Sequence, residues 1–122
     1  MLTIKKEDLN DKLENFLKEM DCDENLIDKI VMTAKDGDEY LGVGTLELRI
    51  DKVYLNFVVT KEDELTLKLG IMKSLLNLAD LRGIKMIYGD NEDLKSLYKM
   101  LRFKDTDGQY ILELEGYFTC GC

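Results

Sequence analysis

The chain has no histidine, no tryptophan and no proline, and only three cysteines in 122 residues. Without histidine, Ser-His and Cys-His nucleophilic catalysis is excluded, together with most transition-metal ligand sets. Without proline, the layout is marked by glycine, asparagine and aspartate and by the period of the apolar residues. The cysteines are Cys22, Cys120 and Cys122. Zinc takes roughly four ligands, and its paired cysteines are usually separated by about two to four residues. Cys120-Gly121-Cys122 has a single spacer, so the expectation is no metal site and reduced thiols. Also missing is any apolar run of membrane-spanning length, and the stretch MLTIKKEDLNDKLENF has no apolar signal core. A cytoplasmic protein without membrane contact is expected. Basic clusters are few: Lys5-Lys6, then the scattered Lys95, Lys99, Arg102 and Lys104. The net charge is −8, which repels nucleic acid and predicts no binding to it. A cationic small-molecule or peptide partner is compatible with this charge.

What is present is a globular balance, 45% hydrophobic and 34% charged, in a length that suits one domain over residues 1–122. Leu9, Leu13, Phe16, Leu17 and Met20 recur at helical spacing and predict a helix over 6–20. Asp21-Cys22-Asp23 reads as a turn, with room for a short second helix around 24–29. The period then shortens. Residues 30–34 and 40–50 read as a hairpin around the Asp36-Gly37 turn. Asp51-Lys52 is another turn, and VYLNFVV, 53–59, is apolar enough for burial on both faces. Residues 65–81 carry a wide apolar stripe (65, 69, 72, 76 and 79; 71, 75 and 78), and Gly83 stands where a helix ends. A strand at 85–89 completes a parallel, right-handed βαβ unit. A helix from Asn91 with Leu94, Leu97, Tyr98 and Leu101 on one face, and a strand over 110–118, close the chain.

The stretch from Val53 to Phe103 resembles the GNAT family of acetyl-CoA-dependent N-acetyltransferases. The likeness is carried by VYLNFVV, IMKSLLNLADLRGIK, MIYGDN and NEDLKSLYKMLRF. The last is similar to the family's N-x-x-A-x-x-L-Y-x-x-L-G-F segment at Asn91, Leu97, Tyr98, Leu101 and Phe103. Leu94 replaces its alanine and Arg102 its glycine. The resemblance implies an α/β (α+β) fold: a mixed, largely antiparallel twisted sheet with helices on both faces and a central βαβ unit. It implies acetyl-CoA as cofactor and an amine as acceptor.

By the same resemblance, Tyr98 would protonate the leaving thiolate, since a phenol keeps its proton at neutral pH and can release it as charge builds on sulfur. The residues alone equally allow a buried core tyrosine with its hydroxyl at the edge. Asn91 would bond the cofactor, or cap the helix that follows, or both. Val58 and Val59 would offer backbone amides to the acetyl and pantetheine groups, though core packing explains their side chains. The family's Q/R-x-x-G-x-G/A turn, whose glycines let backbone N–H groups reach the pyrophosphate, falls on Asp63, Glu64, Leu65, Thr66, Leu67 and Lys68. Thr66, Leu67, Lys68, Leu69 and Gly70 are therefore the positions implied for cofactor binding, with neither glycine in register. Thr60 and Asp63 also fit a helix-capping pattern, and Glu62, Asp63 and Glu64 would then favour the positive end of the helix dipole. For a general base, Asn56 on the central strand cannot serve, and Glu47 alternates with Leu46 and Leu48 as on a solvated sheet face. Two functions follow: a GNAT-type N-acyltransferase, or a GNAT-fold regulatory or interaction module that has lost its cofactor. Homodimer formation through a sheet edge suits either.

Overall fold

A computed structural model of the chain describes residues 1–118. The Cys120-Gly121-Cys122 tail lies outside the described residues. The elements run β1 (Leu2–Lys6), α1 (Asp11–Glu19), β2 (Lys29–Asp36), β3 (Glu39–Leu48), β4 (Val53–Thr60), α2 (Leu65–Leu81) and β5 (Met86–Gly89). A 3-10 turn (Glu92–Leu94) leads into α3 (Lys95–Met100), and the hairpin β6 (Lys104–Thr106) and β7 (Gln109–Glu113) follows. The strands form one sheet in the order β1-β2-β3-β4-β5-β7-β6. Among the described residues only β4 and β5 pair in parallel, so the βαβ unit sits inside a largely antiparallel sheet.

Two apolar layers cover the two faces. Ile71, Met72, Leu75, Leu76 and Ala79 of α2, Leu97 and Tyr98 of α3 and Leu101 at its C-cap pack on Ile30, Met32, Leu46, Leu55, Val58 and Ile87. On the other face Leu13, Phe16 and Leu17 of α1 pack on Val31, Tyr40 and Val43, with Phe57 and Val59 beside them. Close approach of α2 is set by β3: a Cβ built on Gly44 would lie 2.7 Å from Ile71 Cγ2. The C-terminus of α2 is closed by a Schellman motif, with Gly83 at φ +80°. There the Gly83 N–H donates to Asp80 O and the Ile84 N–H to Ala79 O, both at 3.0 Å.

Several expectations change. Residues 2–6 are an edge strand, and the helix predicted from residue 6 starts at Asp11, capped by Asn10, whose Oδ1 accepts the Leu13 N–H at 3.0 Å. Leu9 precedes the helix and is exposed. No helix forms at 24–29; Asn25 Oδ1 accepts the Ile27 N–H in a local turn, and Asp28 takes φ +63° before β2 begins. The strand predicted to run to residue 50 ends at Leu48, where the Arg49 N–H donates to Lys52 O. The strand expected over 110–118 is shorter, and its partner β6 pairs with it across Asp107-Gly108. Thr60 does not cap α2. Glu64 is the N-cap and makes no side-chain cap bond, while Thr60 Oγ1 donates to Glu62 O and accepts the Glu64 N–H.

In the middle of β4 the pairing with β3 slips. Between Thr45↔Phe57 and Glu47↔Tyr54, β4 holds one residue more than β3, so Leu55 and Asn56 together oppose Leu46 in a β-bulge. Before it Val53 and Leu55 face the α2 side; after it Val58 does, and Phe57 and Val59 turn to α1.

Candidate active site at the split between β4 and β5

Parallel β4 and β5 share one paired position, Tyr54↔Tyr88. Beyond it, toward their C-terminal ends, side chains connect them. Such an end of a parallel pair is where open α/β sheets bind ligands. Asn56, on the bulge, donates from Nδ2 to Asp90 Oδ1 at 2.6 Å, and its Oδ1 accepts the Asp90 N–H at 2.9 Å. Asn91 Nδ2 donates to the Asn56 carbonyl at 2.7 Å, and Asn91 Oδ1 accepts the Asp93 N–H at 3.0 Å. Asn91 is thus both the cap of the turn into α3 and a tie to β4.

Tyr98 rises from α3 into the same place. It is fully buried, with its ring 5.0 Å from the rings of Phe103 and Tyr110. Its hydroxyl donates to the Leu55 carbonyl at 2.6 Å, with Asn56 Oδ1 a second acceptor at 3.1 Å. Burial drives the phenol well above its ordinary value, and the Asn91 N–H bonded to it offsets only part of that. The ring lies against Gly89: a Cβ there would be 2.3 Å from Tyr98 Cζ. Glycine ends β5 because the phenol fills the space of any larger side chain.

Val58 is buried in the α2 layer and Val59 is half-buried on the α1 side, so the two valines diverge. Glu47, the carboxylate considered as a base, receives a hydrogen bond from Arg49 at 2.5 Å and an ion pair from Lys29 at 3.6 Å. The Arg49 hydrogen bond, ahead of burial that opposes it, holds Glu47 below its usual value. Asn56 and Asp90 are the site residues that sequence reasoning missed. Their contact spans 34 positions, and no local signal announces it.

At the start of α2, Thr66 is exposed, Leu67 and Leu69 pack on the core, and Lys68 pairs with Asp63. That bond from Lys68 keeps Asp63 below its ordinary value. Gly70 lies under β1, where an added Cβ would sit 3.3 Å from Ile4 Cδ1. A hollow of about 170 Å³ beside this turn is lined by Glu39, Leu41, Lys61, Glu62, Glu64 and Leu67. Lys61 is already paired with Glu39 at 2.7 Å. Next to it, a cleft of about 580 Å³ between α1 and the β2–β3 turn is lined by Phe16, Glu19, Asp38, Tyr40 and Lys61, among others. At about 6 Å, one carboxylate opposes one phosphate charge by roughly 3 kcal/mol at an effective dielectric near 20, less in salt. An acyl-thioester arm finds a strand split, a bulge, Asn91 and Tyr98. A diphosphate finds carboxylates and no glycine cradle. The residues fit the first and not the second.

Among the described residues, no group of three or more candidate ligands could hold a metal ion, and no helix is long and apolar enough to cross a membrane.

No family model matches the chain, and no curated protein matches it in sequence. Solved structures do match. An N-acetyltransferase from Staphylococcus aureus superposes with a TM-score of 0.74 at 14% identity, over 94% of this chain and 99% of that one. A GNAT-family acetyltransferase from Elizabethkingia anophelis with acetyl-CoA bound gives 0.67 at 15%, over 92% and 97%. A Bacillus subtilis acetyltransferase in complex with CoA gives 0.64 at 17%, over 93% and 99%. The bulged central strand, the split beside it and the helix carrying Tyr98 therefore belong to a chain with the fold of the GNAT acetyltransferases.

Proposed function

We propose that this chain is an N-acyltransferase that moves an acyl group from a coenzyme A-type thioester to a primary amine. One observation carries the reading: Tyr98 Oη and the Asn91 amide converge on the Leu55–Asn56 bulge where β4 and β5 part. The thioester, when bound, supplies an activated acyl group. Tyr98 keeps its proton on Oη at neutral pH, because burial disfavours the phenolate. In the closed arrangement that proton points at the Leu55 carbonyl, and the Asn56–Asp90 pair connects the strands beside it. For Oη to serve a sulfur atom, its bond to the Leu55 carbonyl has to be given up. The cleft between α1 and the β2–β3 turn carries Glu19, Asp38 and Glu39 against Lys12 and Lys61, with Lys61 paired to Glu39, and the remaining carboxylates suit a cationic acceptor.

The test is thermal unfolding with and without millimolar acetyl-CoA, under reducing conditions. Ligand at about 100 times its dissociation constant adds ~2.7 kcal/mol, a shift of several degrees in a domain of this size. Turnover by Tyr98→Phe equal to that of the unaltered chain would remove Tyr98 from its role.

A second reading, a GNAT-fold interaction module without cofactor, is favoured by one specific fact. Asn91, Asn56 and Tyr98 already spend their hydrogen-bonding groups on one another, on the Asp90 carboxylate and on the backbone. Absence of any thermal shift with acetyl-CoA selects this reading.

A further inference from the structure

Resting on the acyltransferase reading, we propose that the chain takes its acyl donor by the pantetheine arm alone. Simple acyl-pantetheine thioesters then serve as well as coenzyme A thioesters.

The start of α2 and the split of β4 and β5 differ in chemistry. A helix N-terminus attracts a diphosphate through free N–H groups and a positive dipole end, provided nothing anionic stands there first. Here Glu62 and Glu64 line the hollow at the start of α2, and Glu39 lines it as well. The two lysines near this turn are committed, Lys61 to Glu39 and Lys68 to Asp63. Thr66 and Lys68 stand where backbone would have to approach the ligand, and Gly70 is turned under Ile4. The split of β4 and β5 is built from main-chain and neutral amide groups together with Asp90. An arm of amides and a thioester is matched to such groups. The chemistry is indifferent to the nucleotide. With either donor the carbon–sulfur bond breaks and the carbon–nitrogen bond forms. Sulfur keeps the electron pair and ends with the proton that the amine gives up.

The experiment is calorimetric titration of the full chain with acetyl-CoA, S-acetylpantetheine and adenosine 3′,5′-bisphosphate. The two thioesters are expected to bind within about threefold of each other, and the nucleotide at no detectable level. In the Glu62→Gln/Glu64→Gln variant, acetyl-CoA is expected to tighten by at least about tenfold, ~1.4 kcal/mol, with S-acetylpantetheine unchanged. Both side chains are exposed, and an unchanged melting profile verifies the fold. Acetyl-CoA binding ~100-fold tighter than S-acetylpantetheine, or measurable binding of the nucleotide alone, overturns the inference while leaving the acyltransferase reading intact. If neither thioester binds, the acyltransferase reading itself fails and the inference goes with it.

Discussion

Replacing Gly89 by alanine is the sharpest perturbation of the split. The new Cβ would stand 2.3 Å from Tyr98 Cζ and 2.6 Å from its hydroxyl oxygen, whereas non-bonded carbons rest at about 3.5–4.0 Å. The ring has to retreat by more than ~1 Å, and Phe103 and Tyr110 already sit against it. The 2.6 Å bond to the Leu55 carbonyl then stretches out of range. Leaving that buried carbonyl without its donor costs ~1–3 kcal/mol, and overpacking adds ~1–3 kcal/mol. A total of about 2–6 kcal/mol is a large share of an ordinary domain's stability and lowers Tm by roughly 8–24 °C at this length. Urea and thermal unfolding followed by far-UV circular dichroism measure it. Tyr98→Leu removes Cε1, Cζ and the hydroxyl, the three atoms that collide, so Gly89→Ala in that background costs under ~0.5 kcal/mol. A Gly89→Ala change that is neutral alone, or that costs the same in both backgrounds, refutes the reasoning.

Gly44→Ala pushes a Cβ to 2.7 Å from Ile71 Cγ2 and is expected to cost ~1–3 kcal/mol in urea unfolding, with α2 displaced from β3. Burial pushes the Glu7 carboxyl up, but hydrogen bonds from Tyr40, Asn10, Lys35 and Thr33 outweigh it and hold the group below 4.5. A carboxyl whose native value is lowered stabilises the fold above its unfolded value and loses that contribution as pH falls through the native one. Glu7→Gln is therefore expected to be ~1–2 kcal/mol less stable at pH 7, a gap that closes as the pH drops below 4.5 in a pH series of melts. Asn56→Ala removes the acceptor of the Asp90 N–H. Faster hydrogen exchange at Asp90, by about tenfold or more for a loss of ~1.4 kcal/mol, is the expected readout.

The sequence announces what local chemistry decides. The stripe on 65–81 and the glycine beyond it mark the bounds of α2, and Asn91 declares itself as a cap by residue type. What escapes is either polar or distant. LTIKK and KDT are edge strands with mostly exposed side chains, so they carry little apolar alternation to read. Asp107-Gly108, both at positive φ, is the hairpin signal that could have found β6. Thr60 has the right type for a cap, but the four residues after it form a turn of their own and the helix starts late. The Asn56–Asp90 contact follows from a bulge, and a bulge is a property of two strands together.

That bulge makes the site a matter of counting. Deleting Leu55 or Asn56, the two residues of β4 between Tyr54 and Phe57, would restore one-to-one pairing with β3. Val58 would keep its face and its partner Gly44, but one of the two carbonyls that meet Tyr98 and Asn91 would go with the deleted residue. The sheet itself has no need of the extra residue. A designer could therefore erase this site by shortening one strand by one residue, with the pairing of β3 and β4 on either side left in register.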